Sequence, residues 1–185
     1  MHSAREVFVQ KGFIGVTMKD IIDATGISRG GIYLYFDSVE AVFTAVIQQR
    51  SNRTYETVQQ AVAANQPFET VLTDYLAGHA RRLQSQLDGS LLRATYEYYF
   101  THKDGATVDF QQQQLANTQA TIEMILDLGV TQHVLKDQGL SGIAANWMFL
   151  IEGMSTLALT GGIAAAQINA QFTLMRRLLP YAQTN

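Results

Sequence analysis

The sequence predicts an all-α fold, in which an N-terminal three-helix head with a helix-turn-helix precedes a larger helical domain. Strand signals are sparse in the 185 residues, and long stretches rich in Ala, Gln and Leu favour helix. Only two prolines, Pro67 and Pro180, interrupt these stretches. Because 47% of the residues are hydrophobic, the chain has enough apolar material for a sizeable core.

Composition also limits the chemistry and the location that we expect. The chain has no cysteine, which excludes a disulfide framework, a thiolate metal site and a cysteine nucleophile. The first residues, MHSAREVF, lack the apolar run of a signal peptide. The most apolar region, residues 147–166, is interrupted by Glu152 and three glycines, so it is a poor membrane span. We expect a cytoplasmic protein without a membrane partner.

Net charge by itself does not indicate a nucleic-acid partner. The formal net charge is −3 at pH 7. Residues 1–50 contain five Lys or Arg and five Asp or Glu, whereas residues 51–185 contain eight and eleven. The N-terminal quarter is therefore less acidic than the rest without being a basic patch.

Caps and stops define the first helices. Residues 4–12 predict the end of an amphipathic helix. Thr17 is a good N-cap for a second helix, because Asp20 three residues later completes a capping box. Gly26 ends this second helix, and Ser28 caps a short third one that runs to residue 35.

Two short capped helices joined by the turn ATGIS predict a helix-turn-helix. The turn glycine can adopt a positive φ between the two helices. Four apolar residues are spaced so that they can meet in one small core: Ile21, Ile27, Ile32 and Phe36. After the motif, Ser38 offers a cap for a fourth helix that continues past residue 50.

The stretch SRGGIYLYF, which contains the third helix, carries residues suited to reading DNA, since the second helix of such a motif enters the major groove. Gly30 and Gly31 each cost roughly 1 kcal/mol of helix stability, and we interpret them as points of close backbone approach to DNA. Arg29 can present a planar fork to guanine. The hydroxyl groups of Tyr33 and Tyr35 can donate hydrogen bonds to phosphates. Taken singly, each of these residues is more often a loop or packing residue, so the combination is the specific signal.

The stretch TMKDIIDATGISRGGIYLYFDSVEAVF resembles the DNA-binding domain of the tetracycline-repressor (TetR) family of bacterial transcriptional regulators. The preceding AREVFVQKGF is similar to the end of that family's first helix. The resemblance covers residues 4–47 and implies a homodimer whose divergent C-terminal domain binds a small ligand. The resemblance also implies that eight residues contact DNA: Thr17, Lys19, Ser28, Arg29, Gly30, Gly31, Tyr33 and Tyr35.

Two features depart from the family pattern. The chain starts inside the first helix, which in the family begins several residues earlier, and we expect the true N-terminus to lie upstream of Met1. Val39 stands where the family commonly has a lysine. Both departures remove phosphate contacts, and each lost contact softens the salt dependence of DNA binding.

We assign residues 1–47 to the DNA-binding domain and residues 48–185 to a helical ligand-binding and dimerisation domain. Five further helices are predicted in the second domain, of which Gly129 ends the third and Pro180 the last. They cover about residues 67–87, 91–100, 108–128, 141–159 and 169–179.

The last two predicted helices are apolar over more than one face, which favours a partner. Two such helices per subunit would form a four-helix bundle across a two-fold axis, with central core helices as the alternative. Aromatic and methionine side chains on the helices of this domain favour an effector cavity, with ordinary packing as the alternative. The candidate effector-binding residues are Tyr75, Tyr96, Glu97, Tyr99, Met124, Trp147 and Met148.

The role of Glu97 stays open between two interpretations. Its carboxylate either selects a cationic or hydrogen-bonding effector or pairs with an arginine such as Arg93.

Catalysis finds little support in the sequence. The four histidines are far apart and show no metal-type spacing, and neither a phosphate loop nor a nucleophile elbow occurs. We predict a ligand-responsive homodimeric repressor that binds an inverted-repeat operator, acts as no enzyme and needs no cofactor or metal. The alternative is a helical ligand-binding or scaffold dimer with weakened DNA binding, which the near-neutral head, the short first helix and Val39 favour.

Overall fold

The computed structural model describes residues 1–182, and over them the chain forms nine α-helices. The one β-feature in this range is an isolated bridge between Leu135 and Tyr181. The all-α prediction is therefore confirmed. The helices are α1 His2–Lys11, α2 Met18–Thr25, α3 Arg29–Tyr33, α4 Val39–Ala63, α5 Phe68–Gln84, α6 Leu92–Thr101, α7 Gly105–Thr131, α8 Leu140–Leu159 and α9 Ala165–Arg177.

The described chain divides into two compact units that interleave along the sequence. We call residues 1–52 and 88–114 the head unit, and residues 53–87 together with the described residues from 115 onward the C-terminal unit. The helices α4 and α7 each pass from one unit into the other. The head unit thus contains α6, which the predicted boundary at residue 47 assigns to the second domain; that functional division stays a prediction.

Interlocked aromatic rings form the centre of the head unit. Phe8 of α1 and Phe13 of the α1–α2 connector each contact Phe43 of α4, with ring centroids 4.9 and 5.0 Å apart. Tyr98 of α6 lies 4.9 Å from the Phe13 ring. Both Phe8 and Phe43 are fully buried. Tyr98 is itself buried, and burial of one large apolar side chain stabilises a fold by about 1.5–3 kcal/mol. The helix α6 is therefore part of this core.

The predicted small core of the helix-turn-helix is correct except for Ile27. Ile21 and Ile32 are buried, and Phe36 packs half-buried against the same cluster. Ile27 is 51% exposed. It directly precedes the N-cap Ser28, and its Cγ2 lies over the first turn of α3, where a Cβ on Gly31 would come within 3.0 Å of it.

In the C-terminal unit, α5 packs against α8 and α9. Polar contacts support this packing: Gln84 donates to Asn169 at 2.7 Å, and Arg176 forms an ion pair with Glu69. By length and composition α8 could cross a membrane, but 39% of its most apolar window is buried inside the structure.

The prediction that Gly129 ends a helix is wrong, because α7 continues to Thr131. A Cβ on Gly129 would lie 2.8 Å from the Leu135 side chain and 3.0 Å from Phe68. The glycine therefore allows close packing inside the helix instead of ending it.

Other helix ends differ by a few residues from the predicted ones. The helix α7 begins at Gly105, before the predicted start, because Asp104 accepts a hydrogen bond from the Thr107 N–H at 3.0 Å. The helix α9 begins at Ala165, where Gln167 accepts a hydrogen bond from the Ala164 N–H.

Candidate nucleic-acid interface

A capping box fixes the start of α2, as the sequence predicts. Thr17 Oγ1 accepts from the Asp20 N–H at 3.2 Å, and Asp20 Oδ2 accepts from the Thr17 N–H at 2.9 Å. Lys11 Nζ at the end of α1 lies 2.5 Å from Asp20 Oδ1. The Lys11 ammonium and the hydrogen bonds from Thr17 lower the pKa of the Asp20 carboxyl to about 2. Around neutral pH this carboxylate therefore connects the C-terminal end of α1 with the N-terminal end of α2.

The turn and the start of α3 also follow the predicted pattern. Gly26 adopts φ 68° and ψ 8°, the left-handed conformation that glycine allows without strain. Ser28 Oγ accepts from the Gly31 N–H at 3.2 Å and so caps α3. Ile32 is buried and anchors the five-residue α3 to the head core.

The predicted DNA contacts lie on the surface of the head. Arg29 and Tyr33 lie together on α3, with the guanidinium carbon 5.6 Å from the ring centroid. Tyr35 is 78% exposed just beyond the helix. At the start of α2, Thr17 and Lys19 are exposed. Arg29 can bind base edges from this surface, while the hydroxyls of Thr17, Tyr33 and Tyr35 can bind phosphates.

The two glycines of α3 differ in their internal constraints. A Cβ on Gly30 would meet nothing within 4 Å, so packing inside the head does not require glycine there. A Cβ on Gly31 would lie 3.0 Å from Ile27 and 3.2 Å from the Ser28 hydroxyl. Gly31 therefore serves the cap itself, whereas Gly30 leaves its outer surface open to a partner.

The cations of the head differ in whether they form ion pairs. Lys11 pairs with Asp20, and Arg5 pairs with Glu6. Within residues 1–182, Lys19 and Arg29 form no ion pair, so both are available to phosphate or base. Val39, at the position where the resemblance expects a lysine, packs partly buried against the head core.

Sequence reasoning missed two exposed apolar residues beside the predicted contacts. Leu34 is 76% exposed between Tyr33 and Tyr35, and Ile27 is exposed in the turn. Both can contact thymine methyl groups or sugars. The only signal for Leu34 is its position between two tyrosines, because apolar residues are ordinarily assigned to a core.

The candidate effector residues divide between the two units. In the head unit, Tyr96 stacks near Phe100 with ring centroids 5.9 Å apart, and Tyr99 is buried beside Tyr98. Glu97 accepts hydrogen bonds from backbone N–H groups of the α1–α2 connector.

In the C-terminal unit, Met148 and Tyr75 are buried, and the Tyr75 ring lies 4.7 Å from that of His79. Burial raises the pKa of the Tyr75 phenol above its ordinary value. Trp147 lines a groove of about 250 Å³ between α8 and α9, and Met124 lines one of about 390 Å³ between α4 and α7.

Comparison with known proteins identifies the family. A family model described as bacterial regulatory proteins, tetR family, matches residues 1–46. The uncharacterized HTH-type transcriptional regulator YfiR of Bacillus subtilis is 33% identical over 101 residues, which are 55% of this chain and 48% of YfiR. The resemblance of the N-terminal residues to the tetR family is therefore confirmed over residues 1–46. The probable acrEF/envCD operon repressor of Escherichia coli K12 is 26% identical over 163 residues, 79% of this chain and 73% of that repressor.

Two solved structures share this fold over nearly the whole chain. The reduced form of E. coli NemR superposes with a TM-score of 0.78 at 13% identity, covering 99% of this chain and 96% of NemR. A cysteine mutant of the TetR-family regulator CifR, bound to 26-bp operator DNA, superposes with a TM-score of 0.65 at 16% identity over 96% and 93%. The chain spans about half the length of YfiR, the first curated relative that it matches.

No metal-binding arrangement accompanies this surface. Between residues 1 and 182, no three His, Cys, Asp or Glu side chains are grouped so that they could hold a metal ion.

The pKa of the Asp20 carboxyl should depend on its contact with Lys11. Because its pKa in the folded protein is depressed, the stabilisation that it provides is complete above the unfolded pKa near 4 and is lost as pH falls through about 2. We expect Lys11→Met to raise the Asp20 pKa measured by carboxyl NMR titration. Lys19→Met removes the same charge without this contact and should leave the pKa nearly unchanged; equal shifts in both variants would contradict the assignment.

Substitution of Gly30 should separate folding from DNA binding. Gly30→Ala should raise the melting temperature, because alanine favours helix by about 1 kcal/mol and meets no neighbour. The same change should weaken DNA binding measured by fluorescence anisotropy, since the added methyl group blocks close approach. Gly78→Ala in α5, where a Cβ also meets nothing within 4 Å, is the matched control. Unchanged affinity in Gly30→Ala would show that DNA does not approach this position.

Proposed function

We propose that this TetR-family protein is a ligand-responsive transcriptional repressor that binds an inverted-repeat operator as a homodimer in the cytoplasm. The observation that carries the proposal is the exposed surface of α3, where Arg29, Gly30 and Tyr33 lie outside a capped and anchored helix-turn-helix. The operator complex of CifR and the repressor related to the chain over 163 residues support this class of function.

A two-fold dimer suits this mode of binding. Two α3 helices related by a two-fold axis would read half-sites about one helical turn, roughly 34 Å, apart. The apolar residues exposed on α8 and α9 support association through these helices, because their burial removes apolar surface from water. These residues are Phe149 and Leu157 of α8, Leu174 of α9, and Leu178 directly after α9.

The effector is proposed to bind through side chains of the C-terminal unit. Tyr75 offers a buried phenol donor, and Met148 offers adaptable apolar surface. A ligand that prefers the DNA-free conformation by roughly 10⁴-fold would switch the operator from almost fully occupied to almost free. The contributions of Tyr96, Tyr99, Met124 and Trp147 remain predictions.

The dimer proposal is tested by introducing charge on α8 and α9. Phe149→Asp with Leu178→Asp should convert dimers to monomers in sedimentation velocity, because a buried unpaired carboxylate opposes association. Leu34→Asp places the same charge on an apolar residue that is 76% exposed in the head, and this variant should remain dimeric. A dimer that survives the double substitution would refute the proposed interface.

Capture of genomic fragments on the purified protein tests the DNA-binding proposal. We expect sequencing of the bound fragments to show one enriched inverted repeat. Arg29→Ala should then lose about 1–3 kcal/mol of preference for that repeat over random DNA, because a bidentate contact to guanine is lost. Arg53→Ala removes the same charge from an exposed position in the C-terminal unit and should keep the preference.

The same experiment distinguishes the scaffold alternative. Salt-sensitive binding without a shared sequence would leave only phosphate contact. A wild-type protein that enriches no fragment, and whose Arg29→Ala variant behaves identically, would favour a ligand-binding or scaffold dimer.

A further inference from the structure

We propose that Glu97 is the positioning residue of the DNA-reading surface: its carboxylate on α6 holds the α1–α2 connector and thereby sets the placement of α2 and α3. The inference rests on the proposed function and names a residue that controls it. It differs from the effector role predicted for Glu97 from the sequence.

The Glu97 carboxylate binds two consecutive backbone donors of the connector. Its Oε2 accepts from the Phe13 N–H at 2.6 Å and from the Ile14 N–H at 3.2 Å. Adjacent N–H groups that point to one side form a concave seat for an anion, and hydrogen bonds to a carboxylate are about twice as strong as neutral ones. Here the anion is supplied by the protein's own helix α6.

Gly12 makes this seat possible. It has φ 74° and ψ −171°, a backbone conformation available in practice only to glycine. A Cβ at this position would lie 2.3–2.8 Å from the carboxylate atoms of Glu97. Both the conformation and the close approach therefore depend on the absence of a side chain at residue 12.

Arg93, one turn earlier on α6, reinforces the same connection. Its Nε lies 3.4 Å from Glu97 Oε1, and its guanidinium donates to the Gln10 carbonyl near the end of α1 at 3.2 Å. The pairing of Glu97 with Arg93 that the sequence left open is thus present. The Glu97 side chain is only 26% exposed, so its acceptor atoms are directed mainly at protein donors.

The connector transmits this constraint to the reading surface. Only two residues separate Ile14 from Thr17, the N-cap of α2. Lys11, just before the connector, pairs with Asp20 of α2. The Phe13 ring packs against both Phe43 and Tyr98. Because α3 follows α2 through a short turn, displacement of the connector would shift Arg29 and Tyr33 relative to DNA.

The direction of the change in DNA affinity distinguishes displaced contacts from an effect of net charge. Removal of a negative charge near DNA ordinarily strengthens binding to the polyanion. A loss of operator affinity on neutralising Glu97 therefore cannot arise from net charge and must reflect displaced contacts.

The test compares Glu97→Gln and Glu97→Ala with Glu56→Gln, a matched charge change at an exposed position of α4. Affinities for the captured inverted repeat and for random DNA are measured by fluorescence anisotropy at fixed salt. We expect Glu97→Ala to lower the ratio of the two affinities about tenfold or more, since two charge-assisted hydrogen bonds are lost. Glu97→Gln, which keeps the side-chain volume and one acceptor, should lower it less, and Glu56→Gln should leave it unchanged.

Chemical rescue separates positioning from a general loss of folding. Acetate can place a carboxylate on the vacated N–H groups of Glu97→Ala, so we expect it to restore operator preference relative to chloride at equal ionic strength. A ratio that stays at the wild-type value in Glu97→Ala would overturn the proposal.

Hydrogen exchange provides a readout without DNA. In Glu97→Ala the amides of Phe13 and Ile14 and those of α2 and α3 should exchange faster, while α5, α8 and α9 keep wild-type protection. If wild-type protein selects no DNA sequence, the proposed function fails while exchange still decides the positioning role. Unchanged exchange at Phe13 and Ile14 would refute that role independently.

Discussion

The head depends on a triangle of aromatic rings in which Phe13, Phe43 and Tyr98 each contact the other two. These rings bring α4 and α6 onto the short connector between α1 and α2, with centroid distances of 5.0 and 4.9 Å. Edge-to-face aromatic pairs contribute about 0.5–1.5 kcal/mol each beyond the burial of their area. The helix-turn-helix of residues 17–33 has few buried side chains of its own, so its orientation follows from this shared core.

The short helix α3 depends on this shared core for its stability. It has five residues, two of them glycine, whereas isolated helices shorter than about 12 residues are marginal in water. The Ser28 cap and the buried Ile32 hold it, and the outward residues Arg29, Gly30 and Tyr33 contribute little to that support. Because the outward residues of α3 are not needed for folding, they are available to contact a partner.

Local signals predicted the local features, and contacts distant in sequence were missed. The capping box of Thr17 and Asp20 and the left-handed Gly26 depend on residues within a few positions, so the sequence sufficed for them. The inclusion of Tyr98 in the head core and the contact of Glu97 with Phe13 join residues more than 80 positions apart. The role of a glycine is ambiguous for the same reason. From the sequence Gly129 resembles a helix stop, but in the structure it lies inside α7 and allows close packing against Leu135.

The zero net charge of residues 1–50 is compatible with the proposed specific DNA binding, because only some of the cations in this range are held in ion pairs. Five cations and five anions cancel in residues 1–50, but Lys11 and Arg5 are held by carboxylates while Lys19 and Arg29 are not ion-paired within the described chain. Few phosphate contacts imply weak non-specific binding and a shallow salt dependence. Competing genomic sites then sequester less of the protein, so discrimination depends on the ratio of specific to non-specific affinity. In the proposed function, that ratio depends on how accurately α3 is placed, so the internal contacts of the connector would matter for recognition as much as the residues proposed to touch the bases.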